Sequence, residues 1–169
     1  MAKVKLNISS FGAKGYVPLM VSLFLSALML LPVGTGVSNL MMPHFALMCV
    51  FYWTSTRPLM MPYGACAIIG LMLDLWLNVP MGLNLLILVL ARLFVINQIK
   101  YYKGRSRLIY WAVFAVLAAG LFTLSWALTS IVSGRVTAVE PILFQFLLTI
   151  FSYAIIGLLL GRIRRTILA

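Results

Sequence analysis

The chain has 169 residues, of which 64% are hydrophobic and 9% charged, with a net charge of +11 and a mean hydropathy of +1.12. Soluble domains carry roughly 25% charged residues, so these values exclude an ordinary soluble protein. They also exclude a nucleic-acid binder, because the basic residues lie between apolar runs instead of gathering on one soluble face.

A helix crossing a hydrocarbon core of about 30 Å needs roughly 20 apolar residues, and a chain of this length holds about six. A polar segment with Lys3, Lys5 and Lys14 leads into the first apolar run, 16–31. That run is weighed against a cleaved signal peptide ending near Val33-Gly34-Thr35-Gly36, but no A-x-A pattern follows it and it is kept as a span. The second run, 39–55, ends at Arg57, and the third, 59–79, contains Asp74. After Pro80 and Gly82 the fourth, 83–99, meets Lys100, Lys103, Arg105 and Arg107. The fifth, 108–132, precedes a turn with Arg135 and Glu140, and the sixth, 141–161, ends in Arg162, Arg164 and Arg165. The predicted fold is a single all-α integral membrane domain over 1–169 with six transmembrane helices.

With the N-terminus inside, Lys3, Lys5, Lys14, Arg57, Lys100, Lys103, Arg105, Arg107, Arg162, Arg164 and Arg165 all fall on the cytoplasmic side, eleven of the 13 basic residues. Arg135 lies in an outer loop and Arg92 within the fourth span. The positive-inside rule therefore predicts both termini in the cytoplasm.

Enzymatic chemistry needs several polar groups converging on one point. The supply here is Asp74, Glu140, His44, Cys49 and Cys66. Glu140 precedes Pro141 and reads as an acidic helix start. His44 reads as a histidine hydrogen-bonded within the bundle, and both cysteines fall inside apolar runs with no CxxC spacing. No G-x-S-x-G pattern surrounds a serine. The expectation is no catalytic site, no metal, no bound cofactor and no enzyme.

Asp74 stands apart, since a carboxylate facing lipid costs roughly 2.5–3.5 kcal/mol on insertion scales and must face protein, water or a partner. At helical spacing Ala67, Gly70, Asp74 and Asn78 share one face, with Gly64 slightly off it, so this stripe is small in the middle and polar toward the outer end. It reads as a helix-packing face, a partner-docking face or a ligand site. Arg92 differs from Asp74 in depth by roughly 8 to 9 Å, counted from the shared Pro80 turn. It either pairs with Asp74 or reaches toward the cytoplasmic headgroups. Gly157 and Gly161 make a GxxxG close-packing pattern in the sixth span.

Trp53-Thr54-Ser55-Thr56-Arg57-Pro58, followed by Gly64, by Gly70-Leu71-Met72-Leu73-Asp74 and by Pro80-Met81-Gly82-Leu83-Asn84, resembles the rod shape-determining MreD family of bacteria. Pro43, early in the second span, matches the proline often found there. The resemblance implies a non-enzymatic adaptor of the elongasome in the bacterial inner membrane, acting in lateral peptidoglycan synthesis and maintenance of cell shape. The partners it implies are MreC, RodA with its class B penicillin-binding protein, and MreB at the cytoplasmic face, while the basic inner end suits anionic lipid. The implied fold is similar to the substrate-binding subunits of energy-coupling-factor transporters. Asp74, Gly70, Gly64, Pro80, Gly82, Asn84, Arg92, Gly157 and Gly161 are the helix-packing or partner-contact candidates. The alternative is a vitamin-like small-molecule binding subunit of a transporter, with Asp74, Asn78, Asn84, His44 and Trp76 clustered toward the outer half.

Overall fold

A computed structural model describes residues 13–30, 42–77, 79–102, 104 and 106–167. Six α-helices follow one another: α1 (Val17–Ala27), α2 (Phe45–Thr56), α3 (Tyr63–Leu77), α4 (Leu83–Tyr102), α5 (Arg107–Ser133) and α6 (Glu140–Ile167). Among the described residues there is no strand.

The helix count matches the six apolar runs, but the lengths do not. Among the described residues, α4, α5 and α6 are the helices long and apolar enough to cross a membrane alone. The second helix has 12 residues and the third 15, against expected spans of 39–55 and 59–79. At a rise of 1.5 Å per residue, α2 is about 18 Å long. Prolines explain the shortening of α3: Pro58 opens a single 3₁₀ turn, Pro58–Met60, and Pro62 delays the regular helix until Tyr63. Similar 3₁₀ turns, Ala13–Tyr16 and Leu28–Leu30, flank the 11-residue α1.

The short α2 is the centre of the bundle and packs against α1, α3, α4 and α6. Its side chains from Ala46 to Phe51 and from Trp53 to Ser55 are buried, as a helix apolar on all sides requires. Because it is enclosed by neighbours, its length is not set by the bilayer thickness. An aromatic cluster closes the middle of the core: Phe114 of α5 stacks on Tyr153 of α6 at 4.2 Å, and Phe51 of α2 meets both rings edge-on at 5.2 and 5.6 Å.

Helices α5 and α6 join through a compact turn. Gly134 ends α5 in the left-handed region with φ +64°. Trp126 Nε1 donates to the Thr137 carbonyl at 3.0 Å, and the Thr137 N–H donates to the Ser130 hydroxyl at 3.2 Å. The turn is thereby folded back onto the last part of α5.

Candidate functional site

The site is built where α3 turns into α4. Pro80 stops the chain from continuing α3, and Gly82 takes φ +94°, a conformation open to glycine and strained for other residues. This turn aims the first amides of α4 back at Asp74, which is 1% exposed. Asp74 Oδ2 accepts the Gly82 N–H at 2.9 Å and the Leu85 N–H at 3.5 Å, and Oδ1 accepts the Asn84 N–H at 2.8 Å. The remaining early amide, Leu83 N–H, donates to the Pro80 carbonyl at 3.2 Å. A helix start leaves such amides without intrahelical partners, and in a membrane no water replaces them. Asp74 is thus a capping residue supplied from the preceding helix, with its negative charge at the positive end of the α4 dipole.

Gly70, one turn before Asp74, makes this geometry attainable. A Cβ placed there would meet the Leu85 Cα, and would lie 2.6 Å from the Leu85 nitrogen and 3.0 Å from the Asn84 carbonyl carbon. Real side chains do not approach so closely, so the α4 backbone occupies the space a side chain at position 70 would need. The Gly-x-x-x-Asp spacing therefore does two linked things: glycine admits the start of α4, and the carboxylate one turn later binds it.

The cap extends into α2 and α6. His44 opens α2, and its Nδ1 accepts the Leu47 N–H at 3.3 Å. With Nδ1 an acceptor, the ring proton sits on Nε2, which donates to Asn84 Oδ1 at 3.2 Å. The His44 backbone N–H donates to Thr149 Oγ1 on α6 at 3.0 Å, and Gln145 Nε2 of α6 donates to the Met42 carbonyl at 3.2 Å. His44, Asn84 and Thr149 are all buried. One polar chain therefore runs from Asp74 through Asn84 and His44 to Thr149, tying the starts of α2 and α4 to α6. Beside it lies a cavity of about 400 Å³, with His44, Asn84 and Gln145 on its polar side and Met29, Leu77, Ile87 and Leu121 among its apolar walls.

Arg92 does not pair with Asp74, and the ion pair considered from depth alone is corrected. The Asp74 oxygens are occupied by the α4 amides, whereas Arg92 points to the other end of the hairpin. Its Nη1 donates to the Pro58 carbonyl at 3.2 Å, and its guanidinium lies over the Tyr63 ring at 4.5 Å. It holds the α2–α3 turn, which is the Arg57-Pro58 stretch of the sequence motif. Opposite ends of α3 are thus secured to α4 by unlike devices.

The other candidates separate clearly. Gly64 is exposed and meets no atom within 4 Å, so it is no packing position in this chain. Gly157 meets only Tyr153 of its own helix, at 4.0 Å, and Gly161 meets the Tyr52 hydroxyl at 3.6 Å. The GxxxG pattern therefore brings no second backbone close within the chain. Asn78 lies outside the described residues. Sequence reading missed the His44–Asn84 bond; the signal available was a histidine directly after Pro43 at a helix start and an asparagine two residues after Gly82. Among the described residues no three His, Cys, Asp or Glu side chains group as a metal site would need.

Basic side chains collect at the end opposite the cap. Arg57 ends α2, Lys100 lies in the last turn of α4, Arg107 opens α5, and Arg162, Arg164 and Arg165 end α6. Arg135 and Glu140 lie at the cap end, beside the α5–α6 turn.

Comparison with known proteins agrees with this motif. The family model described as rod shape-determining protein MreD matches residues 11–163. An uncharacterized protein of Rickettsia prowazekii (strain Madrid E) is 28% identical over 131 residues, which is 78% of this chain and 75% of that protein. No solved structure matches. The family match takes in all of α1 to α5 and most of α6, including the Gly70–Asp74 cap and the Arg92-bound turn, and the chain belongs to the MreD family of rod shape-determining membrane proteins.

Proposed function

We propose that the protein is a non-enzymatic membrane adaptor of the rod-shape elongation complex, binding MreC and helping to organise lateral peptidoglycan synthesis. The observation that carries this reading is the use made of Asp74. The one acidic residue inside an apolar run has its oxygens engaged by backbone amides of α4, which is a structural duty and not that of an acid, base or ligand site. The cap fixes where α4 starts relative to α3, and with it the surfaces that a partner helix meets.

In this reading both termini are cytoplasmic and the protein lies in the inner membrane, with the basic end described above at the inner leaflet. That end attracts anionic headgroups at about 1 kcal/mol per basic residue near the surface, and it faces MreB. RodA and its class B penicillin-binding protein share the complex. The α6 surface at Gly157 is open to a partner helix, since a Cβ there would meet only Tyr153 of its own helix. The bundle is read as similar to the substrate-binding subunits of energy-coupling-factor transporters.

Affinity purification of the tagged protein in mild detergent, with mass spectrometry of what accompanies it, tests the adaptor. MreC in stoichiometric amount is the expected result. The cavity beside Asn84 favours a second reading, small-molecule binding in a transporter; an energy-coupling ATPase with a vitamin-sized ligand, and no MreC, would establish that reading and remove the first.

A further inference from the structure

We infer that the cavity beside the cap is a binding site for the acyl chain of a lipid, with the Asn84 side-chain amide as donor to the lipid's ester or amide carbonyl. The inference stands apart from the adaptor reading. It rests on three observations.

The first is an unused donor. Asn84 is 5% exposed, and its Oδ1 is taken by His44, which leaves the Nδ2 hydrogens directed away from that bond. Among the described residues nothing accepts from Nδ2, although Asn84 lines the cavity. The buried side-chain atoms left without a partner among the described residues are Trp53 Nε1, Thr54 Oγ1 and Arg92 Nε, so the Asn84 amide is reached from the cavity and takes its acceptor from whatever fills it.

The second is the character of the walls. At about 400 Å³ the cavity falls within the roughly 300–1,000 Å³ of ordinary ligand sites. Among the described residues no charged side chain lines it, so a neutral group is what it suits. Apolar side chains make up most of the wall, and His44, Asn84, Ser125, Thr129, Thr137 and Gln145 set polar groups among them, so an occupant with a long apolar part and one polar group matches the lining.

The third is continuity with the lipid-facing surface. A second, apolar groove of about 350 Å³ lies between α5 and α6, along Ala119, Thr123 and Leu143. Phe122 and Ile142 line both the groove and the cavity. Leu143 and Val139 of the groove are each 53% exposed. Phe122 and Ile142 are thus the side chains that stand between the groove and the cavity. A water-soluble vitamin has no use for such a route.

The test uses the full-length protein in vesicles of phosphatidylethanolamine and phosphatidylglycerol, doped with a phosphatidylethanolamine bearing a diazirine on its acyl chain. After illumination, labelled peptides are mapped by mass spectrometry. Label is expected on Ile87 and Leu121, inside the cavity, as well as on the outer surface of α6. Ser125→Phe, which fills the cavity from α5, is expected to cut the internal label about tenfold, as a lost binding increment of about 1.4 kcal/mol would, while label on Phe151 and Ile155 stays. Asn84→Leu is expected to weaken internal labelling as well, and Ser125→Phe decides the matter if that variant misfolds. Label confined to the α6 surface, or internal label unchanged in Ser125→Phe, would overturn the inference. Lipid extracted from the purified protein separates the sources: the composition of the bulk membrane means any phospholipid chain, and one enriched species means a selected lipid.

Discussion

The Asp74 carboxylate accepts the backbone N–H of Asn84 at 2.8 Å, ten residues further along the chain and in the first turn of the next helix. Helix starts in water-soluble proteins are usually capped by the residue just before them. Here that residue is Gly82, chosen by the turn for its positive φ and without a side chain to cap. The cap therefore comes from the neighbouring helix, and one residue both ends the search for α4 amide partners and fixes the angle of the α3–α4 hairpin.

Asp74→Ala leaves the Gly82, Asn84 and Leu85 amides without acceptors. At about 1–3 kcal/mol for each buried unsatisfied group, the expected loss is about 3 kcal/mol or more. Asp74→Asn keeps one acceptor oxygen but turns an NH₂ donor toward N–H donors, so it also loses stability. Thermal unfolding in detergent measures both variants, and midpoints equal to the wild type would show that those amides find other partners.

Gly70→Ala and Gly64→Ala are expected to act in opposite senses. The first drives a Cβ into the Leu85 backbone, and because neither backbone can swing aside the cost is about 1–3 kcal/mol. The second adds a methyl in open space on a helix, with an expected gain of about 0.5–1 kcal/mol. The same unfolding measurement ranks them, and equal effects would contradict the close approach at Gly70.

Arg92→Leu removes the donor to the Pro58 carbonyl and the cation over Tyr63. A hydrogen bond from a charged group contributes about 1.5–3 kcal/mol, so limited proteolysis should cut the α2–α3 turn faster in this variant. Arg92→Lys keeps the charge but not the planar group that lies on the ring, and is expected to restore the turn only in part. Wild-type resistance in Arg92→Leu would leave the Arg92–Pro58 bond without consequence.

Gly157→Leu separates folding from partner binding. Within 4 Å of a Cβ at Gly157 lies only Tyr153 of its own helix, so stability should stay within about 0.5 kcal/mol of the wild type. Under the adaptor reading, co-purification of MreC falls while the protein remains folded. A folded variant that retains MreC in full would remove this face from the interface.

The parts of the fold set by local chemistry were legible in the sequence. Six apolar runs became six helices, and Pro80 with Gly82 became the turn between α3 and α4. Helical spacing alone put Gly70 and Asp74 on one small face, with packing, docking and ligand binding all open as its use. What Asp74 binds was not legible, because its partners are backbone amides, which no residue letter distinguishes. Depth counting put Arg92 within partial reach of Asp74, yet the turn delivered amide donors closer and Arg92 found Pro58 instead. The His44–Asn84 bond joins residues 40 positions apart and exists only because α2 packs beside α4. Hydropathy gives the number of helices and not which ones are neighbours. The short α3 could have been read more closely, since Pro58 and Pro62 both stand at its start.

Hydrogen exchange of the Gly82, Asn84 and Leu85 amides, followed in wild-type protein and Asp74→Ala in lipid nanodiscs, tests the cross-helix cap most directly. Slow exchange in the wild type, rising sharply in Asp74→Ala at these amides while the α5 amides near Phe114 stay protected, is the expected result. Fast exchange in the wild type, or protection untouched by the loss of the carboxylate, would contradict the cap.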